Sequence, residues 1–245
     1  MFHGKRFSSC NFEPNRLVMK FTFYGHACFS LKMNGKHVLF DPFISGNELA
    51  AHIQKDSIPA DFILISHGHA DHIADAVDIA KRTGAMVICN WEIAGWLQNQ
   101  GLTNVHPMNT GGSREFDFGK VKCTVAQHSS GLPDGSYGGN PMGFLLFAEG
   151  KQVYYSGDTS LTLDMQLIPK WAPQLDAAIL PIGDNFTMDV ADAIDAASMV
   201  GAQKVVGVHY NTFGYIVIDT EKAKNDFKTA GKELLLPAIG ETIDI

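Results

Sequence analysis

A cluster of three histidines and one aspartate directly follows an apolar segment in this chain, and few folds accommodate that combination. Residues 61–66 (Asp-Phe-Ile-Leu-Ile-Ser) are apolar and β-branched, which is typical of a strand buried on both faces of a sheet. The next six residues contain the cluster: His67, His69, Asp71 and His72. Divalent transition metals prefer such neutral imidazole and carboxylate ligands. The sequence therefore predicts a metal site at the end of a buried strand.

Spacing within the cluster indicates two sets of ligands. His67 and His69 are two residues apart, so both face the same side of an extended chain. Asp71 and His72 follow a turn, so their side chains can face a second metal position. One loop cannot complete two metal sites, so further ligands are expected where other strands end. The residues in that position are His128, Asp158 and His209.

The remaining histidines serve as a contrast, because they lie near turns or in the N-terminal tail. They are predicted to bind no metal: His3, His37, His52 and His106.

The predicted elements form two halves of similar make-up. Strands are predicted at residues 20–24, 28–33, 36–40, 61–66, 85–90, 115–118, 120–127, 143–148, 152–156, 176–180, 204–208 and 241–245. Helices are predicted at residues 75–83, 92–100, 163–171, 190–200 and 220–230. Two such sheets are buried most simply face to face, with helices on both outer faces. We therefore expect an α/β (α+β) fold of four layers, an αββα sandwich.

Domain organisation is expected to be simple. The strand pattern begins only after Met19, so residues 1–18 are expected to form an N-terminal extension and residues 19–245 one domain. The extension lacks the apolar core of a signal peptide, and the four cysteines are widely spaced without a CxxC pair. A reduced, cytoplasmic setting is the expectation.

Composition limits the classes of binding partner that are expected. The net charge of −7 and the pI near 5.7 give no general attraction to nucleic acid, and no apolar run is long enough to span a membrane. A small-molecule substrate is expected, without nucleic acid or membrane, and a homo-oligomer stays open.

The cluster His67-x-His69-x-Asp71-His72 resembles, in full, the signature loop of the metallo-β-lactamase superfamily, and the resemblance extends over nearly all of residues 19–245. Other motifs look like those of uncharacterised metal-dependent hydrolases related to the ascorbate-phosphate lactonase branch. These motifs are Tyr24-Gly-His-Ala-Cys-Phe29, Asp41-Pro-Phe, Tyr137-Gly-Gly-Asn-Pro141, Pro181-Ile-Gly-Asp-Asn-Phe-Thr-Met188 and His209-Tyr. The resemblance implies an αββα sandwich with a binuclear metal centre.

The resemblance also implies a ligand set. One ion would be held by His67, His69 and His128, the other by Asp71, His72 and His209, and both by Asp158. Two divalent ions are expected, with zinc first and manganese or iron as alternatives. Hydroxide activated by the two ions would attack a small ester, lactone or phosphoester.

Further roles follow from the same resemblance. Asp71 is expected to accept a proton in catalysis as well as bind metal. Asp41 would accept hydrogen bonds from the histidine loop, or cap the turn before Pro42. His26 would approach the substrate as a second catalytic residue, or only bond to backbone.

Two weaker features are left open. Asn185 and Thr187 would present donors to an oxyanion or phosphate, or form an ordinary turn and a helix N-cap. Residues 129–141 would shape the pocket, or be a long surface connection.

Three alternative functions remain. A nuclease or phosphodiesterase uses the same chemistry, but the negative charge disfavours it. An iron-dependent redox relative of the same fold would be identified by its metal. A metal-bound regulatory protein without turnover would lack a ligand, and no ligand is missing from this sequence.

Overall fold

The computed structural model of the protein describes residues 18–245. The predicted N-terminal extension lies outside the described residues except for Val18, which is exposed. Among residues 18–245, no helix is long and apolar enough to cross a membrane.

The first sheet has seven strands. Their bounds are β1 (Lys20–Gly25), β2 (Cys28–Met33), β3 (Lys36–Phe40), β4 (Phe62–Leu64), β5 (Met86–Asn90), β6 (Val105–Met108) and β14 (Thr242–Asp244). Their spatial order is β14-β1-β2-β3-β4-β5-β6, antiparallel from β14 to β3 and parallel from β3 to β6. The predicted hairpin between β2 and β3 is confirmed, since Asn34 and Gly35 both have positive φ, at 48° and 76°.

The second sheet repeats this plan with seven more strands. Their bounds are β7 (Ser113–Phe116), β8 (Gly119–Val125), β9 (Met142–Ala148), β10 (Lys151–Tyr155), β11 (Ala177–Pro181), β12 (Lys204–Val208) and β13 (Glu233–Leu235). The order is β13-β12-β11-β10-β9-β8-β7, antiparallel from β7 to β10 and parallel from β10 to β13.

Helices cover the outer face of each sheet. The helices are α1 (Ala70–Ile73), α2 (Ala76–Thr83), α3 (Trp91–Asn99), α4 (Ile168–Trp171), α5 (Val190–Val200) and α6 (Thr220–Thr229). Short 3₁₀ turns lie at Glu48–Ala50, Lys55–Ser57, Leu163–Leu167 and Gly214–Ile216. Apolar residues of α2 and α3 pack on the first sheet, and those of α4, α5 and α6 on the second.

A third apolar cluster lies between the sheets and includes Phe21, Phe29, Phe40, Phe144 and Tyr155, all fully buried. Burial of these large side chains from both sheets supplies the driving force that holds the two sheets together. The predicted four-layer αββα sandwich is therefore confirmed.

Predicted and observed elements agree within two residues at most boundaries. The helix predicted at 163–171 is the main exception, because it starts as the 3₁₀ turn Leu163–Leu167 and only then becomes α4. Pro169 stands in the first turn of α4, where its missing N–H costs little. Strands β6 and β13 were not predicted because they are too short to show a period of two.

Strand direction defines two ends of the sandwich. The site end is where β1, β3, β4, β8, β10 and β12 finish. The turn end is opposite, where the hairpin turns at Asn34 and Glu149 connect antiparallel strands.

Candidate metal centre

Five separate segments converge at the site end. His67 and His69 lie in the loop after β4, and Asp71 and His72 lie in the short helix α1 that follows. The other three predicted ligands each lie beyond the end of a strand in the second sheet: His128 after β8, Asp158 after β10 and His209 after β12. The fifth segment is the end of β1, which brings His26. The structure thus brings together all seven residues that the sequence analysis proposed as ligands.

Asp158 lies at the centre of this group. Its Oδ2 atom is 3.0 Å from His209 Nε2, 3.2 Å from His72 Nε2, 3.7 Å from His128 Nε2 and 4.0 Å from His67 Nε2. Burial by itself raises the pKa of Asp158, but the imidazoles of His209 and His72 outweigh it and hold the pKa well below its usual range. An ionised carboxylate within 4.0 Å of four imidazole nitrogens is a donor set that could hold a divalent cation.

The candidate ligand atoms fall into three overlapping sets, each within 4.8 Å. They are His67, His69 and His128; His67, His72 and Asp158; and His26, Asp71, His72 and His209. His72 and His67 each belong to two sets, so the ligand atoms form one continuous polar centre.

A buried hydrogen-bond network orients the histidine loop. Asp41 accepts from the Ser66 backbone N–H at 2.7 Å, the Ser66 hydroxyl at 2.6 Å, the Tyr155 hydroxyl at 2.6 Å and His72 Nδ1 at 3.0 Å. Burial raises the pKa of Tyr155 well above its usual value, so the hydroxyl keeps its proton and donates. Asp41 therefore accepts hydrogen bonds from the histidine loop, and Tyr155 is a further partner that the sequence analysis did not name.

This network determines which imidazole nitrogens are free to bind a cation. Because the Ser66 hydroxyl donates to Asp41, it accepts from His67 Nδ1 at 2.9 Å, which leaves His67 Nε2 without a proton. His72 donates from Nδ1 to Asp41 in the same way. Both Nε2 atoms therefore face the centre, where a bound cation would take the place of a proton on His72.

The surroundings of His72 Nε2 provide a test of whether a cation fits. His72 Nε2 is buried without a hydrogen-bond partner among the described residues, 3.2 Å from Asp158 Oδ2. Burial by itself lowers the pKa of His72, but Asp158 and Asp41 raise it well above its usual value. The site thus attracts positive charge at this point, and a nitrogen-rich donor set matches divalent metal chemistry.

Strained backbone holds the site residues in place. His26, Asp41 and His209 have φ values of 56°, 41° and 55°, a region that costs a non-glycine residue about 1–3 kcal/mol. The His209 backbone N–H donates to the His26 carbonyl at 2.8 Å, which joins the ends of β12 and β1. Gly157, next to Asp158, has φ of 63°, and a Cβ there would lie 2.6 Å from the Met142 carbonyl oxygen.

His26 lies beneath Asp71 and does not face the cleft. Its side chain is fully buried, with Nε2 3.1 Å from Asp71 Oδ2 and Nδ1 3.0 Å from the Thr212 hydroxyl. Burial lowers the pKa of His26 to about 4, so the neutral ring donates from Nε2 to the carboxylate and accepts from Thr212. Buried Nε2 is satisfied by Asp71, so His26 does not line the cleft in this structure, and its approach to a substrate stays a prediction.

Asn185 and Thr187 lie in the ordinary turn that the sequence analysis left as one alternative, and their role as donors to a substrate stays a prediction. Asn185 is exposed, with φ of 55°, and Thr187 is half-buried, but neither lines the cleft. Phe186, between them, does line it. Residues 185–187 form a turn in which the backbone N–H groups of Phe186 and Thr187 donate to the Asp184 carbonyl. The N-cap of α5 is Asp189, not Thr187.

The loop over residues 129–141 combines both of its proposed roles. Ser129 lines the cleft with its hydroxyl 3.2 Å from His69 Nε2, and Ser130 accepts from the Gly68 N–H at 3.0 Å. A Cβ on Gly68 would meet Leu132 at 3.0 Å. Beyond Leu132 the loop is largely exposed, as at Tyr137. Its first residues therefore support the histidine loop, and its tip is surface.

Other histidines stay apart from the centre. His37 begins β3 at the turn end, His52 Nε2 lies 3.2 Å from the Ile239 carbonyl, and His106 contacts Phe116. None belongs to a potential metal-binding group among residues 18–245. His3 lies outside the described residues.

A cleft of about 260 Å³ opens onto the centre. It is lined by His69, Asp71, His128, Ser129, Asp158, Phe186, His209 and Phe213. The cleft gives a small molecule access to the proposed ligands. Phe186, Phe213 and Thr212 were not proposed as site residues, and their only signal in the sequence is proximity to the motifs at 181–188 and His209-Tyr.

Comparison with known proteins gives consistent matches. The family model described as the β-lactamase superfamily domain matches residues 36–210. A UPF0173 metal-dependent hydrolase from Flavobacterium johnsoniae is 52% identical over 227 residues, covering 93% of this chain and 100% of the relative. The UPF0173 metal-dependent hydrolase YtkL from Bacillus subtilis is 44% identical over 232 residues, with the same coverage of both chains.

A solved structure agrees with these matches. Igni18, described as a novel metallo hydrolase from the archaeon Ignicoccus hospitalis, superposes with a TM-score of 0.81 at 33% identity. The match covers 94% of this chain and 99% of Igni18.

Proposed function

The chain belongs to the metallo-β-lactamase superfamily, and from that premise we propose that it is a metal-dependent hydrolase with two divalent ions, acting on a small ester, lactone or phosphoester. The observation that carries the proposal is the position of Asp158 Oδ2, within 4.0 Å of four imidazole nitrogens from three segments. The relatives named above as metal-dependent hydrolases support the reaction class.

Each proposed ligand is assigned to one of the two ions or to both. His67, His69 and His128 would hold one ion, and Asp71, His72 and His209 the other. Asp158 would contact both. Zinc is the expected ion because the set is rich in imidazole, with manganese or iron as alternatives.

A pair of divalent ions, when bound, lowers the pKa of a water between them and polarises a carbonyl or phosphoryl group. The chain's own residues then manage protons and position. Burial by itself raises the pKa of Asp71, but the hydrogen bond from His26 and the charge of His72 hold it below its usual range. Asp71 is therefore ionised, lines the cleft and is placed to accept a proton from the attacking water.

His26 acts through Asp71. Its Nε2–H holds one carboxylate oxygen, and Thr212 holds the other side of the ring. This leaves the remaining Asp71 oxygen free to turn toward the cleft. His26 is therefore proposed as a positioning residue.

Metal analysis and a substrate panel test the proposal. Protein purified without chelator and reconstituted with zinc should carry close to two ions per chain by elemental analysis. The loaded protein should hydrolyse at least one of p-nitrophenyl acetate, a δ-lactone and bis(p-nitrophenyl) phosphate, and chelation should abolish the activity.

Matched controls make the result interpretable. His37→Ala and His106→Ala should leave the metal content unchanged, because both residues lie outside the potential metal-binding groups. One ion or none after reconstitution with zinc or manganese would contradict the binuclear assignment.

A further inference from the structure

A second, larger cavity opens directly beside the cleft. Its volume is about 680 Å³, and it is lined by Gly46, Glu48, Leu49, Asp71, Phe186, Thr212, Phe213, Gly214 and Tyr215. Asp71, Phe186 and Phe213 also line the cleft at the metal centre. The two spaces are therefore continuous, and a molecule reacting in the cleft can extend into the larger cavity.

Apolar side chains dominate the rim of this side cavity. Leu49 is 51% exposed, Phe186 50% and Tyr215 78%, and the rings of Phe186 and Tyr215 are 6.2 Å apart. Three segments that are distant in sequence supply these side chains. A ligand that covers exposed apolar surface around a concave site gains binding free energy, because that surface is removed from water.

Contacts within the protein hold the wall of the side cavity in place. Phe213 packs edge-on against His26, with ring centroids 5.2 Å apart, and lies 6.3 Å from Phe43. The Asn211 backbone N–H donates to the Ile216 carbonyl at 2.7 Å, and its side chain accepts from the Ile218 N–H at 2.8 Å. A preformed wall needs little ordering when a ligand binds.

Charge on the lining distinguishes between substrate classes. Among residues 18–245, no lysine or arginine lines either the cleft or the side cavity, whereas Glu48 and Asp71 are carboxylates. Phosphate groups in proteins are commonly held by arginine or lysine. A substrate that is still anionic away from the metal centre would find no partner here and would meet Glu48.

We infer that the side cavity binds the apolar substituent of an uncharged ester or lactone whose scissile bond lies in the cleft. The inference rests on the proposed function. In that reaction water adds across the acyl carbon–oxygen bond, which breaks to release a carboxylic acid and an alcohol, joined in one molecule for a lactone. Leu49, Phe186, Phe213 and Tyr215 would cover the substituent and select its size.

A binding series tests the side cavity independently of turnover. Linear alkyl hydroxamic acids from acetyl to octanoyl share one metal-binding group and differ only in apolar length. Their affinity for the zinc-reconstituted full chain is measured by calorimetry. Each added CH₂ that is fully buried should strengthen binding about three- to fourfold.

Exposed side chains allow variants that do not disturb the core. Leu49→Ala and Tyr215→Ala should flatten the length dependence and leave the affinity for acetohydroxamic acid unchanged. Leu163→Ala is the matched control, since Leu163 is 73% exposed and lines neither cavity. Its length series should equal that of the unmodified chain.

A kinetic comparison tests charge. The ratio kcat/KM should be higher for p-nitrophenyl octanoate than for p-nitrophenyl acetate, and lowest for anionic bis(p-nitrophenyl) phosphate. Hydroxamate affinity that does not change with length, or a preference for the anionic diester, would overturn the inference. A steep hydroxamate series without hydrolysis of any ester, lactone or phosphoester would support the side cavity and overturn the proposed function instead.

Discussion

The two ends of the sandwich carry cavities of similar size but of different character. The side cavity at the site end measures about 680 Å³, and a cavity at the turn end, lined in part by Asn34, Lys120, Lys151 and Trp171, measures about 640 Å³. At the site end, buried histidines and aspartates converge from several strands. At the turn end, exposed or half-buried lysines and glutamates surround hairpin turns. Volume therefore does not distinguish the two ends, whereas buried charge does.

Backbone conformation shows the same difference. At the site end, Asp41 and His209 adopt left-handed φ outside any hairpin turn, whereas left-handed His26 lies in the two-residue turn between β1 and β2. At the turn end, the left-handed positions Asn34 and Glu149 belong to hairpins, where such values are normal. A left-handed φ outside a turn is typical of functional sites, because the surrounding structure must hold the backbone in that conformation.

Asp158→Ala should have the largest effect on the site end. It removes the carboxylate that four imidazoles surround, so both ions should be lost together, with an affinity loss above the roughly 10- to 100-fold of an outer-shell change. Elemental analysis and zinc titration measure this effect, and circular dichroism checks folding.

The matched variant is His209→Ala, which should release mainly one ion because His209 belongs to one ligand set. If Asp158→Ala retains both ions, Asp158 is a loop residue and the centre has been assigned wrongly.

Asp71→Asn should have the next largest effect, on rate. The amide keeps the size and one oxygen ligand but cannot accept a proton. A loss of about 100- to 10,000-fold in kcat is expected, with both ions still bound. The loss of kcat is measured by fixed-time assays on the ester that the unmodified chain hydrolyses fastest, and the metal content is measured on the same sample. Turnover near that of the unmodified chain would reduce Asp71 to a replaceable ligand.

Asp41→Asn should have an intermediate effect, on metal affinity. Asp41 accepts four hydrogen bonds, and an amide nitrogen cannot accept those from Ser66, His72 and Tyr155. Zinc affinity is expected to fall about 10- to 100-fold. Tyr155→Phe removes one of these donors and should cause a smaller loss, and equal losses for the two variants would argue against a shared network.

Changes at the turn end should have the smallest effect. His37→Ala and Lys120→Ala alter residues at the start of β3 and on the rim of the turn-end cavity. Metal content and kcat/KM should not change, and for exposed Lys120→Ala the free energy of unfolding should shift by no more than about 0.5 kcal/mol. A loss of metal in either variant would remove the distinction between the two ends.

Much of the fold and of the metal centre was predictable from local patterns. Apolar runs and hairpin signals located most strands within two residues, and the density of histidine after β4 marked the centre. Chain order sufficed to propose His128, Asp158 and His209, because each stands where an apolar strand ends. Each of these signals spans only a few consecutive residues, so each can be recognised from the sequence alone.

Other features depended on residues that are distant in sequence. The burial of His26 beneath Asp71, the donation from Tyr155 to Asp41 and the inward turn of Phe186 all depend on how the two sheets pack. The side cavity likewise needs three separate loops to meet. The sequence by itself determined the elements and most donor atoms of the site. Only the tertiary structure decided which groups face the cleft and which are held behind it, because that choice is made by packing across the sandwich.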